Sequence, residues 1–175
     1  MRRLWVTDAV IVLCLASWAL PALAQETTPT PVHHAAPAFV TGIEHCSIDT
    51  GTTDTGADGV MRYRGGWATC THEADDPRVS GAVDYSWDAD LWPAGGVQWG
   101  AGTISNDGGT WEGTYAGVVG DPNQGDVITF WLKGTGDYAG LSYYYRVTGS
   151  GPWEVTGLIF PGDPPAPSLR GPASE

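Results

Sequence analysis

The chain has 175 residues, a length that suits one domain, and 8 Lys and Arg stand against 20 Asp and Glu, a formal net charge of −12. Nucleic acid and anionic membrane surfaces repel so acidic a chain, which excludes them as simple electrostatic partners. Its apolar runs fall short of the ~20 residues that a membrane-crossing helix needs.

Residues 1–24 read as a signal peptide. Arg2 and Arg3 open it, Ala9 to Leu20 is apolar, and Ala22-Leu23-Ala24 is a small-x-small cleavage signal. The expectation is a secreted or periplasmic protein. Two cysteines follow, Cys46 and Cys70. An oxidising compartment makes a disulfide between them the favoured reading.

Residues 25–40 are rich in Thr, Pro and Ala, show no periodicity, and read as a flexible linker. His33 and His34 lie there without a Cys or carboxylate cluster, so a solvated linker is favoured over a metal-binding pair.

The β domain spans residues 41–160. Val, Thr, Trp, Tyr and Phe recur in short alternating runs broken by Gly, Asp and Asn. The predicted strands are Ile43–Ile48, Val60–Thr71, Val79–Asp88, Val97–Ser105, Thr110–Val119, Asp126–Lys133, Leu141–Thr148 and Pro152–Phe160. Helical periodicity is absent. Asn106-Asp107-Gly108-Gly109, Asp121 to Gly125, Gly134-Thr135-Gly136 and Gly149-Ser150-Gly151-Pro152 supply tight turns. Residues 161–175 are proline-rich and read as a disordered tail.

Alternation assigns inward faces. Val83, Tyr85 and Trp87 share one; Ile128, Phe130 and Leu132 another; Leu141, Tyr143, Tyr145 and Val147 a third; Trp153, Val155 and Ile159 a fourth. Trp111, Gly113, Tyr115 and Gly117 alternate large and small, which a tapering barrel interior accommodates. An all-β fold follows, either a closed up-and-down barrel or a two-sheet sandwich. Sequential hairpins, and the removal of edge strands by closure, favour a single small antiparallel barrel of about eight strands with glycine-rich hairpin turns.

The run Gly134-Thr135-Gly136-Asp137-Tyr138-Ala139-Gly140-Leu141 resembles the glycine-rich motif of the allene oxide cyclase and dirigent-type barrels, and Trp111 to Gly117 is similar to bacterial barrels of that kind. The resemblance is centred on residues 126–160. It implies an eight-stranded barrel with a central cavity, in a group whose members isomerise or steer oxidised small molecules. That group's catalytic residues match no position here, so none is carried over.

Four constellations could carry chemistry. Glu44-His45-Cys46 and Cys70-Thr71-His72-Glu73 offer zinc-type ligands. Adjacent His45 and Cys46 point to opposite strand faces, while His72 shares the face of Cys70, so a disulfide is favoured over a metal. Asp49 to Gly59 is a near miss of a calcium loop, lacking the closing Glu, and reads as a polar hairpin. Asp84, Asp88, Asp90, Glu112, Asp137 and Glu154 are scattered carboxylates without visible pairing, and Glu112, Arg146 and Glu154 lie opposite the apolar faces. Nucleophilic catalysis lacks a G-x-S-x-G element.

Aromatic residues are the fourth. Tyr85, Trp87, Trp111, Tyr115, Tyr143, Tyr145 and Trp153 are the candidate ligand-binding residues, with core filling as the competing role. Trp92 and Trp131 are the aromatics expected on the surface. No catalytic residue, metal or cofactor is assigned. The expected function is a non-catalytic exported barrel that binds a small apolar or aromatic molecule or a surface partner. A dirigent- or cyclase-like barrel enzyme that orients a reactive small molecule is the alternative, and a carbohydrate-binding module is the third. The interior discriminates: walls of Trp, Tyr, Val and Leu alone support binding, whereas a buried Asp, Glu or Arg beside a cavity raises the enzyme reading.

Overall fold

Residues 36–49, 51–121 and 123–163 are described in a computed structural model of the chain. The expected signal peptide, residues 25–35 of the expected linker and residues 164–175 of the expected tail lie outside the described residues. The strands are β1 Ala38–Asp49, β2 Thr52–Thr55, β3 Met61–Ala74, β4 Gly81–Trp92, β5 Gly95–Asn106, β6 Gly109–Asp121, β7 Gly125–Gly134, β8 Leu141–Gly149 and β9 Trp153–Pro161.

Each strand pairs antiparallel with its neighbour in the order β1-β9-β8-β7-β6-β5-β4-β3, and β1 returns to β3 to close an eight-stranded barrel. The ninth strand, β2, is extra. It extends the edge of β3 beyond β1: β1 takes Trp67 to Ala74, and β2 takes Met61 to Arg64. Closure leaves no long edge exposed, the outcome that the run of sequential hairpins predicts.

Period-two patterning builds the interior. In β3, Gly66, Ala68, Cys70 and His72 are buried while Trp67, Thr69, Thr71 and Glu73 are exposed. The expected inward faces of β4, β7, β8 and β9 are also found, with Val83, Tyr85, Ile128, Phe130, Leu132, Tyr143, Tyr145, Val147, Val155 and Ile159 all in the core cluster. Large rings need small neighbours. A Cβ on Gly157 would stand 2.7 Å from the Tyr143 ring and 2.8 Å from Tyr145 Cβ, and one on Gly102 would stand 2.7 Å from the Tyr85 ring. Glycine at these positions lets the aromatic stack fit inside the wall.

The two ends differ. At one, the segment between β3 and β4 folds inward as a plug. Val79 is fully buried, Trp111 Nε1 donates to the Arg78 carbonyl at 2.8 Å, and Asn106 Nδ2 donates to the Ser80 carbonyl at 3.0 Å. The segment between β7 and β8 adds a second cover. It forms a one-turn 3-10 helix, Gly136–Tyr138, whose Tyr138 stacks on Trp111 at 5.1 Å and 14° and donates to Asn106 Oδ1 at 2.7 Å. The other end carries short hairpin turns and β2, which runs along the edge of β3, and it stays open.

Several boundaries differ from the sequence reading, each for a packing reason. β1 starts at Ala38, inside the stretch expected as linker, because Val40 is an interior residue only 1% exposed. Val79 and Ser80 were expected in a strand; their apolar–polar pair serves the plug, and β4 begins at Gly81. The polar stretch near Asp54 contributes β2, whose four residues are all exposed and so carry no alternation to read.

Candidate functional site

The open half of the barrel holds a cavity of about 270 Å³, at the lower edge of the ~300–1,000 Å³ range of ligand sites. Tyr63, Trp87, Tyr115, Phe130 and Trp153 supply its aromatic wall, and Ala68, Ala89, Leu91, Ile128 and Val147 its aliphatic one. Cys46 and Ile48 line it on β1.

At the inner end of the cavity stands Glu44, 2% exposed. Its Oε2 accepts from Tyr85 Oη at 2.8 Å and faces His72 Nδ1 at 2.8 Å. His72 Nε2 lies 3.3 Å from Tyr143 Oη, and Tyr85 Oη lies 2.8 Å from Tyr145 Oη. One arrangement of protons satisfies the whole chain of groups. Tyr143 donates to His72 Nε2, His72 Nδ1–H and Tyr85 O–H donate to the Glu44 carboxylate, and Tyr145 donates to Tyr85.

Electrostatics hold the phenols in that state. Burial pushes Tyr85 well above the ordinary tyrosine range, with the Tyr145 and Glu44 oxygens adding to it. Burial, then the Glu44 charge, does the same to Tyr143 and Tyr145. Burial raises Tyr115, on the cavity wall, to about 12. All four therefore stay protonated and act as donors at neutral pH.

Glu44 Oε1 is differently placed. It lies 3.5 Å from Cys46 Sγ, a sulfur that carries no proton because it is bonded to Cys70 Sγ. Among the described residues, no donor reaches it. The indole N–H groups of Trp87 and Trp153, both in residues lining the cavity, are also buried without a partner among the described residues. Among the described residues the closed end shows nothing comparable: the Trp111 indole and the Tyr138 phenol are paired.

The sequence candidates sort by depth. Tyr85, Trp87, Tyr115 and Trp153 line the cavity, whereas Trp111, Tyr143 and Tyr145 do not and are each 0% exposed in the packed interior. Cys46 and Cys70 form the expected disulfide between directly opposed residues of β1 and β3. Glu44, Cys46 and Cys70 place ligand-type atoms within 4.8 Å of one another, but the bridge leaves no thiolate to bind a metal. His45 is exposed on the outer face, as its strand parity requires. In the near-calcium loop, Arg62 takes the Asp58 carboxylate at 2.7 Å and holds it down to about 2. Glu112, Arg146 and Glu154 are exposed, as are Trp92 and Trp131.

His72 is a site residue that the sequence reading weighed only as a metal ligand, and Glu44 one that it named beside that ligand set without a role. A signal for Glu44 was present. It stands two residues before Cys46, so the alternation that turns Cys46 inward toward Cys70 turns Glu44 inward too. On the outer surface, Phe39, Leu158, Tyr144 and Trp131 oppose one another in register across β1, β9, β8 and β7. The Trp131 and Tyr144 rings stand 63° to each other, so this pair is not a flat sugar platform.

No family model matches the chain, and no curated protein matches it. Among solved structures, a protein with unknown function from the DUF3224 family of Shewanella oneidensis MR-1 is similar in fold. The TM-score is 0.57 at 13% sequence identity, over 73% of this chain and 99% of that chain. That likeness is one of β-barrel fold, and no link to the allene oxide cyclase or dirigent families comes with it.

Proposed function

We propose that this protein is an exported barrel that takes a small, largely apolar or aromatic molecule into its open half and orients it on Glu44. The observation that carries the reading is the cavity itself: about 270 Å³, walled by aromatic and aliphatic side chains, with one buried carboxylate at its inner end. Concave apolar sites with a few placed polar groups are how small molecules are held. The disulfide suits a secreted or periplasmic setting, and no helix among the described residues is long and apolar enough to cross a membrane.

The interior is the discriminator: walls of Trp, Tyr, Val and Leu alone would support the expected non-catalytic barrel, and a buried carboxylate beside the cavity raises the enzyme reading. Glu44 and His72 remove that support. They favour a second reading, in which a reactive molecule is steered in the cavity and Glu44 moves a proton, as in the cyclase- or dirigent-like alternative. Binding is common to both and comes first.

Titration of the unreduced protein with N-phenylnaphthylamine, a neutral fluorescent aromatic probe, tests it. Saturable binding at one site per chain is expected. Ala89→Leu, which fills the cavity from a wall residue 2% exposed, should weaken it at least about tenfold. Absent binding, or binding untouched by Ala89→Leu in a folded protein, would overturn the proposal.

A further inference from the structure

We infer that the cavity selects an amine: a small organic cation whose ammonium group donates to Glu44 Oε1 while its apolar body packs against the aromatic wall. The inference rests on the reading that the cavity binds a small molecule, and it names that molecule's class.

The charged groups lining the cavity are Glu44 at the inner end and Asp126 near the mouth. Among the described residues, neither Lys, Arg nor His lines it. A bound carboxylate or phosphate would meet two negative groups and no cation, which is unfavourable in a site shielded from water. A bound ammonium meets the reverse. Asp126 is engaged only at one oxygen, where Oδ1 accepts from Gly120 N–H at 3.0 Å.

Glu44 fixes the polarity more sharply. Oε2 already accepts from Tyr85 and His72, so that side of the carboxylate is satisfied by the protein. Oε1 is an acceptor with no donor among the described residues, and it lies on the side of Cys46, which lines the cavity with it. Buried carboxylate oxygens that lack a donor are costly, so a ligand that brings an N–H gains what the apo site forgoes. With Oε2 taken up by His72 and Tyr85, Oε1 is the oxygen left for a ligand, and an ammonium brings it a charge-assisted N–H donor that an alcohol does not.

The wall suits the rest of such a molecule. Phe130 and Tyr115 lie 4.7 Å apart between ring centroids, and Tyr63 and Trp87 lie 5.7 Å apart. The π faces of such rings attract a cation and pack against a ring attached to it. The overall charge of −12 draws cations toward the protein before they reach the cavity.

Three probes of one shape decide the matter: naphthylmethylamine, naphthylmethanol and naphthoate, titrated against the unreduced protein by tryptophan fluorescence. The titrations are run at raised salt, so that general attraction to an acidic surface is screened. The amine should bind at least about tenfold tighter than the alcohol, with naphthoate weakest. Glu44→Gln should erase the amine's advantage and leave the alcohol within about threefold. If that variant fails to fold, the ranking on the unaltered protein still decides. Alcohol or naphthoate binding as tightly as the amine, or an amine advantage that survives Glu44→Gln, would overturn the inference while leaving the cavity reading intact. No binding by any of the three, together with none by the neutral probe, would overturn both.

Discussion

One barrel has two ends made of similar residues, and they do opposite things. At the closed end, Trp111 is fully buried, its indole N–H bonds the Arg78 carbonyl, and Tyr138 stacks upon it. At the open end, Trp87 and Trp153 are half-buried, and their indole N–H groups are buried without a partner among the described residues, beside a cavity of about 270 Å³. The difference lies in the connections. The loops at residues 75–80 and 135–140 are long enough to bring Val79 and Tyr138 over the closed end. At the open end the hairpin turns at residues 93–94 and 150–152 are too short to reach inward, and the longer stretch between β1 and β3 pairs as β2 along the edge of β3. Aromatic content alone therefore does not mark a site; a site appears where rings are left without something to pack against.

If the closed end is the stabilising half, removing its central ring should cost most. Trp111→Ala should destabilise the protein by about 3–5 kcal/mol in urea denaturation, since it opens a cavity and removes one of the two donors to the Arg78 carbonyl, leaving Asn106 Nδ2. A loss below about 1 kcal/mol would break the contrast. The bridge between Cys46 and Cys70 serves both ends, because it closes a 24-residue separation in the unfolded chain. Replacing both cysteines by alanine should cost about 3 kcal/mol. Thiol titration of the unreduced protein should find neither sulfur free, and two free thiols would reject the bridge.

Alkaline pH probes the boundary between the halves. Tyr85, Tyr143 and Tyr145 have folded-state pKa values raised above the unfolded value of about 10 by burial. Their contribution is therefore intact below pH ~10 and is lost as pH rises toward the folded-state values. Each phenol should remove up to about 1.4 kcal/mol per pH unit in that window. A Tm that holds level well above pH 10 would show that these phenols are not sealed. The smallest effect is expected at the open end. Trp153→Phe removes a donor that has no partner among the described residues, and should change stability by less than about 1 kcal/mol. A larger loss would mean that the open end is packed as tightly as the closed one.

The sequence by itself determined the barrel. Period-two alternation survives in every long strand because each strand has one face in the core and one in water, so Tyr85, Phe130, Tyr145 and Val155 could be turned inward residue by residue. The cysteine pairing was equally legible, since two cysteines in a chain read as exported meet an oxidising compartment, and Cys46 and Cys70 oppose each other across β1 and β3. β2 escaped because its four residues are wholly exposed.

Only the tertiary structure separated cavity from packing. Tyr115 and Tyr143 have the same strand parity and the same chemistry, yet one lines the cavity and the other is sealed beneath a loop. Which outcome applies depends on how far the connections reach across each end, and alternation carries no information along the barrel axis. The polar network is of the same kind. Glu44, His72, Tyr85, Tyr143 and Tyr145 come from β1, β3, β4 and β8, and only closure of β1 on β3 brings them within hydrogen-bond reach. Parity turned each side chain inward, and register fixed which of them met.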